Sequence, residues 1–298
     1  MQLSNPFNIS GKWFKGNTHS HTTSSDGALA PDKLCSLYAA SGYDFLFITD
    51  HDKLTDIAGL SNNCLAVFPG EEMDVGITEL GYSFHIVALG IKQGISCGAI
   101  DARQAIDAVI QQNGVAIIAH PAWSQLTVGD MRNLHGAAGF EIYNTSCEYS
   151  IGKGHAEAWW NELLARGSLV WGVAADDVHY HQNEHRPVDA CGAWIMVKVE
   201  SLTLENVLKA VKNGNFYASN GPEIKDVIIS KDRIRVESSP VKYINFIAQQ
   251  RFGERFTASA EQSLNGAEYI LNGNEKFIRI ECIDFQGKNA WTNPVCFK

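Results

Sequence analysis

The sequence has no long apolar run and no apolar leader. No run approaches the ~18 apolar residues that a membrane-spanning helix needs. Residues 1–11 lack a basic stretch followed by about 7 to 15 apolar residues, the pattern of a secretory signal. We therefore expect no membrane anchor, and a signal peptide that was removed before this sequence begins would leave no trace in it.

Paired cysteines and basic clusters are also lacking. The seven cysteines are irregularly spaced, include no Cys-x-x-Cys and cannot all pair, which favours reduced thiols and a cytoplasmic location. The net charge is −9 and Lys and Arg are scattered, which argues against nucleic-acid backbones and anionic membranes as partners. An anionic substrate would have to be attracted locally. No internal repeat or phosphate-loop glycine spacing is present, and the oligomeric state is left open.

The composition is that of a globular protein with a large core. Of 298 residues, 45% are hydrophobic and 19% are charged. A chain of this length buries roughly three quarters of its unfolded surface. Length alone permits one or two domains.

Apolar runs alternate with helical patterns from Trp13 to about Ser219, which is typical of strands joined by crossover helices. After a first strand that enters His19, the predicted strands are 44–49, 64–69, 82–89, 115–119, 140–143, 169–174 and 192–199. The predicted helices are 31–41, 99–113, 154–166 and 202–213, and each is followed by glycine.

The pattern changes after Asn220-Gly221-Pro222. Apolar residues alternate with polar ones, and no convincing helix follows. We predict an α/β domain over residues 1–220 and a small all-β, sandwich-like domain over 221–298.

Histidines and acids cluster at the ends of the predicted strands, where barrel enzymes carry their catalytic groups. They are His19 and His21, then Asp50, His51 and Asp52, then Glu71 and Glu72, then His120, and finally Asp176, Asp177 and His179. His-x-His on an extended segment projects both rings to one side, so both can reach one metal ion. Imidazole and carboxylate together suit Zn, Fe or Mn, and the number of ligands implies two or three divalent ions.

These residues resemble the motifs of the PHP (polymerase and histidinol phosphatase) superfamily. The motifs are His19-Ser-His21-Thr, Thr49-Asp50-His51, Pro69-Gly70-Glu71-Glu72, His85, Ala119-His120-Pro121 and Asp177-Val178-His179. The downstream Tyr217-Ala-Ser-Asn-Gly-Pro222 and Ala290-Trp-Thr-Asn-Pro294 resemble the CehA/McbA-type branch, which carries a β-rich C-terminal domain.

The resemblance implies a distorted (β/α)7, TIM-like barrel with a trinuclear metal site. His19, His21, Glu72 and Asp177 would hold the first ion, with Glu72 as a bridging ligand that competes with Glu71 for the role. His85 and His120 would complete the second ion with Glu72. Asp26, His51 and His179 would hold the third.

A cationic cluster of this kind would bind a phosphorylated small molecule despite the negative net charge. Three divalent ions bring six positive charges, and the carboxylates Asp26, Glu72 and Asp177 return three. We expect a metal-bridging hydroxide to attack phosphorus, with Glu72, Asp177 and His179 as the catalytic residues. The general acid is open among His179, His181, His185 and Asp176. Arg186 is a candidate phosphate contact through its bidentate fork.

Two other functions remain open. The same metal cluster could hydrolyse a carboxylic or carbamic ester or an amide. The chain could also be an inactive structural or interaction module that kept the fold.

Overall fold

A computed structural model describes residues 5–297. The N-terminal part alternates strands and helices, in the order β1 (Lys12–Asn17), α1 (Pro31–Ala40), β2 (Phe45–Ile48), β3 (Ala66–Val75), β4 (Phe84–Leu89), α2 (Ala102–Gln111), β5 (Val115–Ile118), α3 (Val128–Arg132), β6 (Gly139–Asn144), α4 (Thr145–Ile151), α5 (Glu157–Ala165), β7 (Trp171–Ala175), β8 (Trp194–Val199), α6 (Leu204–Asn213) and β9 (Phe216–Ser219). A short 3-10 helix, Pro6–Asn8, precedes β1. No helix in residues 5–297 is long and apolar enough to cross a bilayer.

The C-terminal part consists of eight strands and no helix within the described residues. They are β10 (Ile224–Ile229), β11 (Arg233–Val241), β12 (Tyr243–Ile247), β13 (Gly253–Thr257), β14 (Leu264–Ile270), β15 (Phe277–Ile283), β16 (Asn289–Thr292) and β17 (Val295–Cys296). Strands β10, β11 and β14 form a separate sheet, whereas β16 pairs with β9 and thereby continues the large N-terminal sheet. The expected all-β C-terminal region is present, and its division from the first domain at residue 220 stays a prediction.

The large sheet is mostly parallel where it forms the site. Strand β1 pairs in parallel with β2 and β2 with β3, and the same holds for β5, β6 and β7. Strand β4 is antiparallel to both of its neighbours, β3 and β5. A parallel bridge between Ser20 and Val178 brings the segments after β1 and β7 together. The structure is thus a mixed α/β fold with one large, parallel-rich sheet.

Strand β3 is longer than the sequence pattern indicated. The apolar run stops at Pro69, and Glu71 and Glu72 were expected to follow the strand. Both lie inside β3, which continues to Val75 by pairing with β4. Glu72 is tolerated in the strand because it faces the histidines of the site, whereas Glu71 lies on the opposite face and accepts a hydrogen bond from the Ile95 backbone N–H.

Helices α3 and α4 were missed because each is shorter than two turns, too short for a periodic apolar pattern. Each begins at a capping side chain, Thr127 for α3 and Asn144 for α4. Helix α5 begins at Glu157 instead of Gly154, because Gly154 and Ala156 form backbone hydrogen bonds to Asn144 and Ile142.

Three apolar clusters hold these layers together. The first packs the N-terminal strands of the large sheet against α2, α5 and α6, and the second lies mostly within the C-terminal strands. The third lies under α1. Arg279 joins the two parts: its buried guanidinium donates to Asn161 of α5 at 3.0 and 2.8 Å and lies 4.7 Å from the Trp160 ring.

Candidate metal centre

The predicted ligand residues meet at one edge of the large sheet. Those that follow β1, β2, β5 and β7 lie at the carboxyl ends of these parallel strands. His85 was expected within a strand of unknown direction, and it lies near the start of β4. Because β4 runs opposite to its neighbours, its start lies at the same edge. The structure brings nine predicted ligands together there: His19, His21, Asp26, His51, Glu72, His85, His120, Asp177 and His179.

The first group consists of His19, His21, Glu72 and Asp177. The two Nε2 atoms lie 3.1 Å apart. Each lies 3.0 or 3.2 Å from Glu72 Oε2 and from Asp177 Oδ1. Four ligands about 2.0 Å from a tetrahedral ion lie about 3.3 Å from one another. Five of the six distances among these four atoms therefore match those around one tetrahedral cation.

A second group lies around the other side of Glu72. His85 Nδ1 and His120 Nε2 lie 2.9 and 3.0 Å from Glu72 Oε1. His51 Nδ1 lies 3.3 Å from Glu72 Oε2, and the compact set of ligand atoms here is His51, Glu72 and His85. Glu72, not Glu71, is the carboxylate shared between groups. Glu71 points away and accepts a hydrogen bond from the Ile95 backbone N–H.

The third group is His21, Asp26, His51 and His179. Asp26 Oδ2 lies 3.3 Å from His179 Nε2 and 3.7 Å from His51 Nε2. His21 joins this group as well as the first, since its Nδ1 lies 3.6 Å from Asp26 Oδ1.

Divalent cations fit this donor set. Within the described residues, Glu72 Oε2 and His21 Nδ1 are buried and make no hydrogen bond. The polar atoms beside them belong to other ligand residues, His19 Nε2 at 3.0 Å and Asp26 Oδ1 at 3.6 Å. Buried polar atoms without partners are rare and destabilising. Six imidazoles and three carboxylates are a combination that suits Zn, Fe or Mn.

The electrostatics of the protein alone already favour charged carboxylates. Burial would raise the pKa of Glu72, yet the surrounding imidazoles hold it well below its usual range. His19 and His21 likewise lower the pKa of the buried Asp177 carboxyl. Burial lowers the pKa of His179, but its hydrogen bond to Asp26 and the nearby Asp177 raise it to about 9.

Outer partners set the tautomers of the histidines. Glu141 Oε1 lies 2.7 Å from His19 Nδ1, so His19 donates there and turns its Nε2 lone pair toward the first group. His120 Nδ1 lies 3.0 Å from Ser124 Oγ, and His179 Nδ1 lies 2.8 Å from the Asp177 carbonyl. The buried Glu141 carboxylate therefore positions His19 and has no exposure to a substrate.

Asp50 and Asp176 support the loops that carry ligands. Asp50 accepts from Thr22, Ser25 and Thr55 and so holds the loop that presents Asp26. Asp176 is fully buried and accepts from the Tyr38 hydroxyl and three successive backbone N–H groups, Cys191 to Ala193. Burial raises the pKa of Asp176 to about 6 against the lowering effect of these bonds. Asp176 has no access to a substrate.

Two ligand residues have the left-handed backbone that only glycine adopts freely. The φ angles are 23° at His120 and 54° at Asp177. Asp177 is held by its backbone N–H, which donates to the His19 carbonyl at 3.1 Å. Such conformations persist where the surroundings impose them and are concentrated at functional sites.

A cavity of about 200 Å³ opens over the three groups. It is lined by Asp26, His51, Glu72, His85, His120, Trp123, Ser146, Cys147, Ser150, Asp177 and His179. Sequence reasoning missed Trp123 and the α4 residues; the only signal was the closeness of Trp123 to His120-Pro121. Arg186, His181 and His185 lie in the loop after β7 and are not among the lining residues.

Comparisons with known proteins bear on the fold. No family model matches the sequence, and neither does any curated protein. The structure is similar to a two-domain protein from Bacteroides vulgatus that contains a predicted PHP-like metal-dependent phosphoesterase, with a TM-score of 0.52 and 14% identity over 96% of this chain and 94% of that one. This chain therefore has the fold of that PHP-like protein.

Two further solved structures are similar with TM-scores below 0.5. One is a putative metal-dependent phosphoesterase from Bifidobacterium adolescentis, with a TM-score of 0.47 and 15% identity over 67% of this chain and 96% of that one. The other is an amidohydrolase from Chromobacterium violaceum, with a TM-score of 0.44 and 16% identity over 55% of this chain and 87% of that one. The CehA/McbA-type branch stays a prediction.

Proposed function

We propose that this chain is a metal-dependent hydrolase that cleaves phosphate esters of small molecules. The observation that carries the proposal is that the ligand atoms of His19, His21, Glu72 and Asp177 lie close enough together to bind one cation, with two further ligand groups that share Glu72, His21 or His51. The sheet edge, the cavity and the PHP-like fold support it. We interpret β1 to β7 as a distorted (β/α)7 barrel that is closed at the Ser20–Val178 bridge. We also propose that the protein is cytoplasmic.

We assign all nine predicted ligands to two or three divalent ions. When bound, such ions lower the pKa of water to about 7 and neutralise charge on phosphoryl oxygens. Glu141 adds a fourth carboxylate to the three counted from the sequence, so three ions leave a net charge of 6 − 4 = +2 at the site. The site stays cationic and attracts a phosphate.

The chain's own residues orient the reactants and move the proton. Hydrolysis joins the water oxygen to phosphorus, breaks the ester P–O bond and delivers a proton to the departing alcohol oxygen. Of the four general-acid candidates, His179 alone lines the cavity, whereas Asp176 is buried beneath it. His179 donates its Nδ1 proton to the Asp177 carbonyl and presents Nε2 beside Asp26, so Nε2 would deliver a proton to the leaving oxygen only with two ions bound and the third group free of metal.

Elemental analysis combined with substrate assays tests the proposal. Purified protein should contain two or three equivalents of Zn, Fe or Mn and hydrolyse a phosphate monoester or diester faster than a carboxylic ester. Chelation should abolish turnover, and the same metal should restore it. His19→Ala and Asp177→Ala should lose activity, whereas Glu157→Gln, which changes the exposed His155–Glu157 pair, should not. Turnover that survives chelation would remove the metal mechanism.

One observation favours a second function, the hydrolysis of a carboxylic or carbamic ester or an amide. Among the residues that line the cavity, none is Lys or Arg. A neutral acyl substrate needs no cation beyond the metal ions. If the carboxylic ester is the better substrate in the same panel, this second function replaces the first.

A further inference from the structure

We propose that the cavity over the metal centre binds the leaving group of the substrate, and that this group is an uncharged aromatic ring stacked on Trp123. The inference rests on the proposed phosphate-ester hydrolysis and narrows its substrate class. Trp123, Ser146, Cys147 and Ser150 are the lining residues that are not predicted ligands. The remaining lining residues form the floor that holds the phosphoryl group.

Trp123 is placed as a wall of the cavity and not as a core residue. Its side chain is 43% exposed, and it is the one exposed tryptophan of the seven in the chain. Its ring meets the rings of His85 and His120 edge to face, at centroid distances of 5.7 and 5.1 Å. These contacts fix the indole next to two ligand histidines. An exposed aromatic ring that neighbouring rings hold in place beside a reaction site can stack against a planar group of a ligand.

The part of the cavity lining that α4 contributes is polar but uncharged. Ser146 and Ser150 lie one helical turn apart on α4, with Cys147 between them. Burial raises the pKa of the Cys147 thiol far above its usual range, so the thiol is neutral. The hydroxyls can bond to a polar substituent on a ring without selecting for charge.

The charge of the lining limits what the leaving group can carry. The cavity has no Lys or Arg among its described lining residues, and Asp26 lies at its mouth with a half-exposed carboxylate. The metal ions can neutralise the reacting phosphoryl group. A second phosphate or a carboxylate on the leaving group would have no cationic side chain in this lining and would face Asp26. The leaving group is therefore a phenol-, benzyl- or nucleoside-like alcohol without further charge.

The test compares esters that differ only in the ring. Benzyl phosphate and cyclohexylmethyl phosphate have similar leaving alcohols, but only the first has a flat π face. For the full-length, metal-loaded protein we expect kcat/KM to be roughly 3- to 10-fold higher for benzyl phosphate, the range expected of one aromatic contact. Trp123→Ala should lower kcat/KM for benzyl phosphate more than kcat/KM for cyclohexylmethyl phosphate, so that the preference is lost. Trp123→Phe should restore part of the preference.

Controls separate this inference from the proposed function. Phe285→Ala alters another exposed aromatic residue, in the turn between β15 and β16, and should leave the preference unchanged. Equal kcat/KM for the two esters, or an undiminished preference in Trp123→Ala, would overturn the stacking role while leaving the hydrolase intact. A 4-carboxybenzyl phosphate that is cleaved as well as benzyl phosphate would overturn the uncharged leaving group.

Binding provides a readout that does not need turnover. Benzylphosphonate and cyclohexylmethylphosphonate cannot be hydrolysed at the P–C bond, and their binding can be followed calorimetrically in wild type and Trp123→Ala. A second possible result is that the protein cleaves no phosphate ester and still binds the benzyl compound more tightly in a way that depends on Trp123. That result would refute the proposed function and support the aromatic subsite. Equal binding of both compounds would sink the subsite.

Discussion

Glu141 offers a quantitative test of the metal centre, because every polar group around its buried carboxylate donates a hydrogen bond to it. Oε1 faces His19 Nδ1 at 2.7 Å, and Oε2 accepts from the His120 backbone N–H at 2.9 Å and from Asn144 Nδ2 at 2.7 Å. In Glu141→Gln one of these oxygens becomes an NH2 group. If the NH2 faces His120 and Asn144, donors oppose donors. If it faces His19, the His19 proton must move to Nε2, which then has no lone pair for a cation.

The two estimates of the cost agree. A buried donor without an acceptor costs about 1 to 3 kcal/mol. Loss of a carboxylate that orients a ligating histidine typically lowers metal affinity about 10- to 100-fold, which equals about 1.4 to 2.8 kcal/mol. We therefore expect Glu141→Gln to weaken binding of the ion at the first group by about 10- to 100-fold, with Asp177 and His21 still in place.

Competition with a chelator of known affinity measures this loss, with elemental analysis for stoichiometry and circular dichroism for folding. Glu157→Gln is the matched control, since Glu157 also lies 3.0 Å from a histidine Nδ1, that of His155, but outside the site. Metal affinity equal to that of Glu157→Gln would refute the role given to Glu141.

Three further perturbations have expected outcomes. Arg279→Met leaves Glu281 and Asn161 without their buried partner and should lower the free energy of unfolding in urea by about 3 kcal/mol while leaving metal content unchanged; an unchanged urea midpoint contradicts this. Burial would raise the pKa of Glu275, but hydrogen bonds from backbone N–H groups and the Tyr269 hydroxyl lower that pKa from 4.5 to about 2. Its stabilisation is therefore present above pH 4.5 and lost as pH falls toward 2. The thermal midpoint of Glu275→Gln should lie below that of wild type at neutral pH and approach it in acid; a gap that stays constant with pH rules this out. Metal removal should lower the thermal midpoint, and re-addition at 100 times the dissociation constant should restore about 2.7 kcal/mol; a midpoint indifferent to metal argues against a native-state site.

Strand and helix positions could largely be predicted because they depend on local patterns. The apolar runs of β2, β5 and β7 and the glycine-terminated helices α1 and α6 lie within a few residues of their predicted bounds. Helices α3 and α4 could not be predicted, since one or two turns have no measurable period. The extension of β3 through Glu71 and Glu72 could not be predicted either, because it depends on pairing with β4.

The ligand types could be predicted from the sequence, but their grouping could not. Seven of the nine candidate ligands followed predicted strands, the family resemblance supplied Asp26 and His85, and elementary coordination chemistry limited the metals. That His21 and His51 each face two groups follows only from the three-dimensional arrangement. The same holds for Glu141 behind His19 and for the absence of Arg186 from the cavity lining.

Apolar periodicity along the chain specifies which segments become strands and helices, and residue types specify which atoms can bind a cation. Which of those atoms share a cavity depends on the three-dimensional fold. The reversed direction of β4 brings His85 to the rim, and α4 brings Ser146 and Ser150 into the cavity that Trp123 also lines. The physical reason is that secondary structure follows from neighbours in the chain, whereas a site follows from contacts between residues far apart in it.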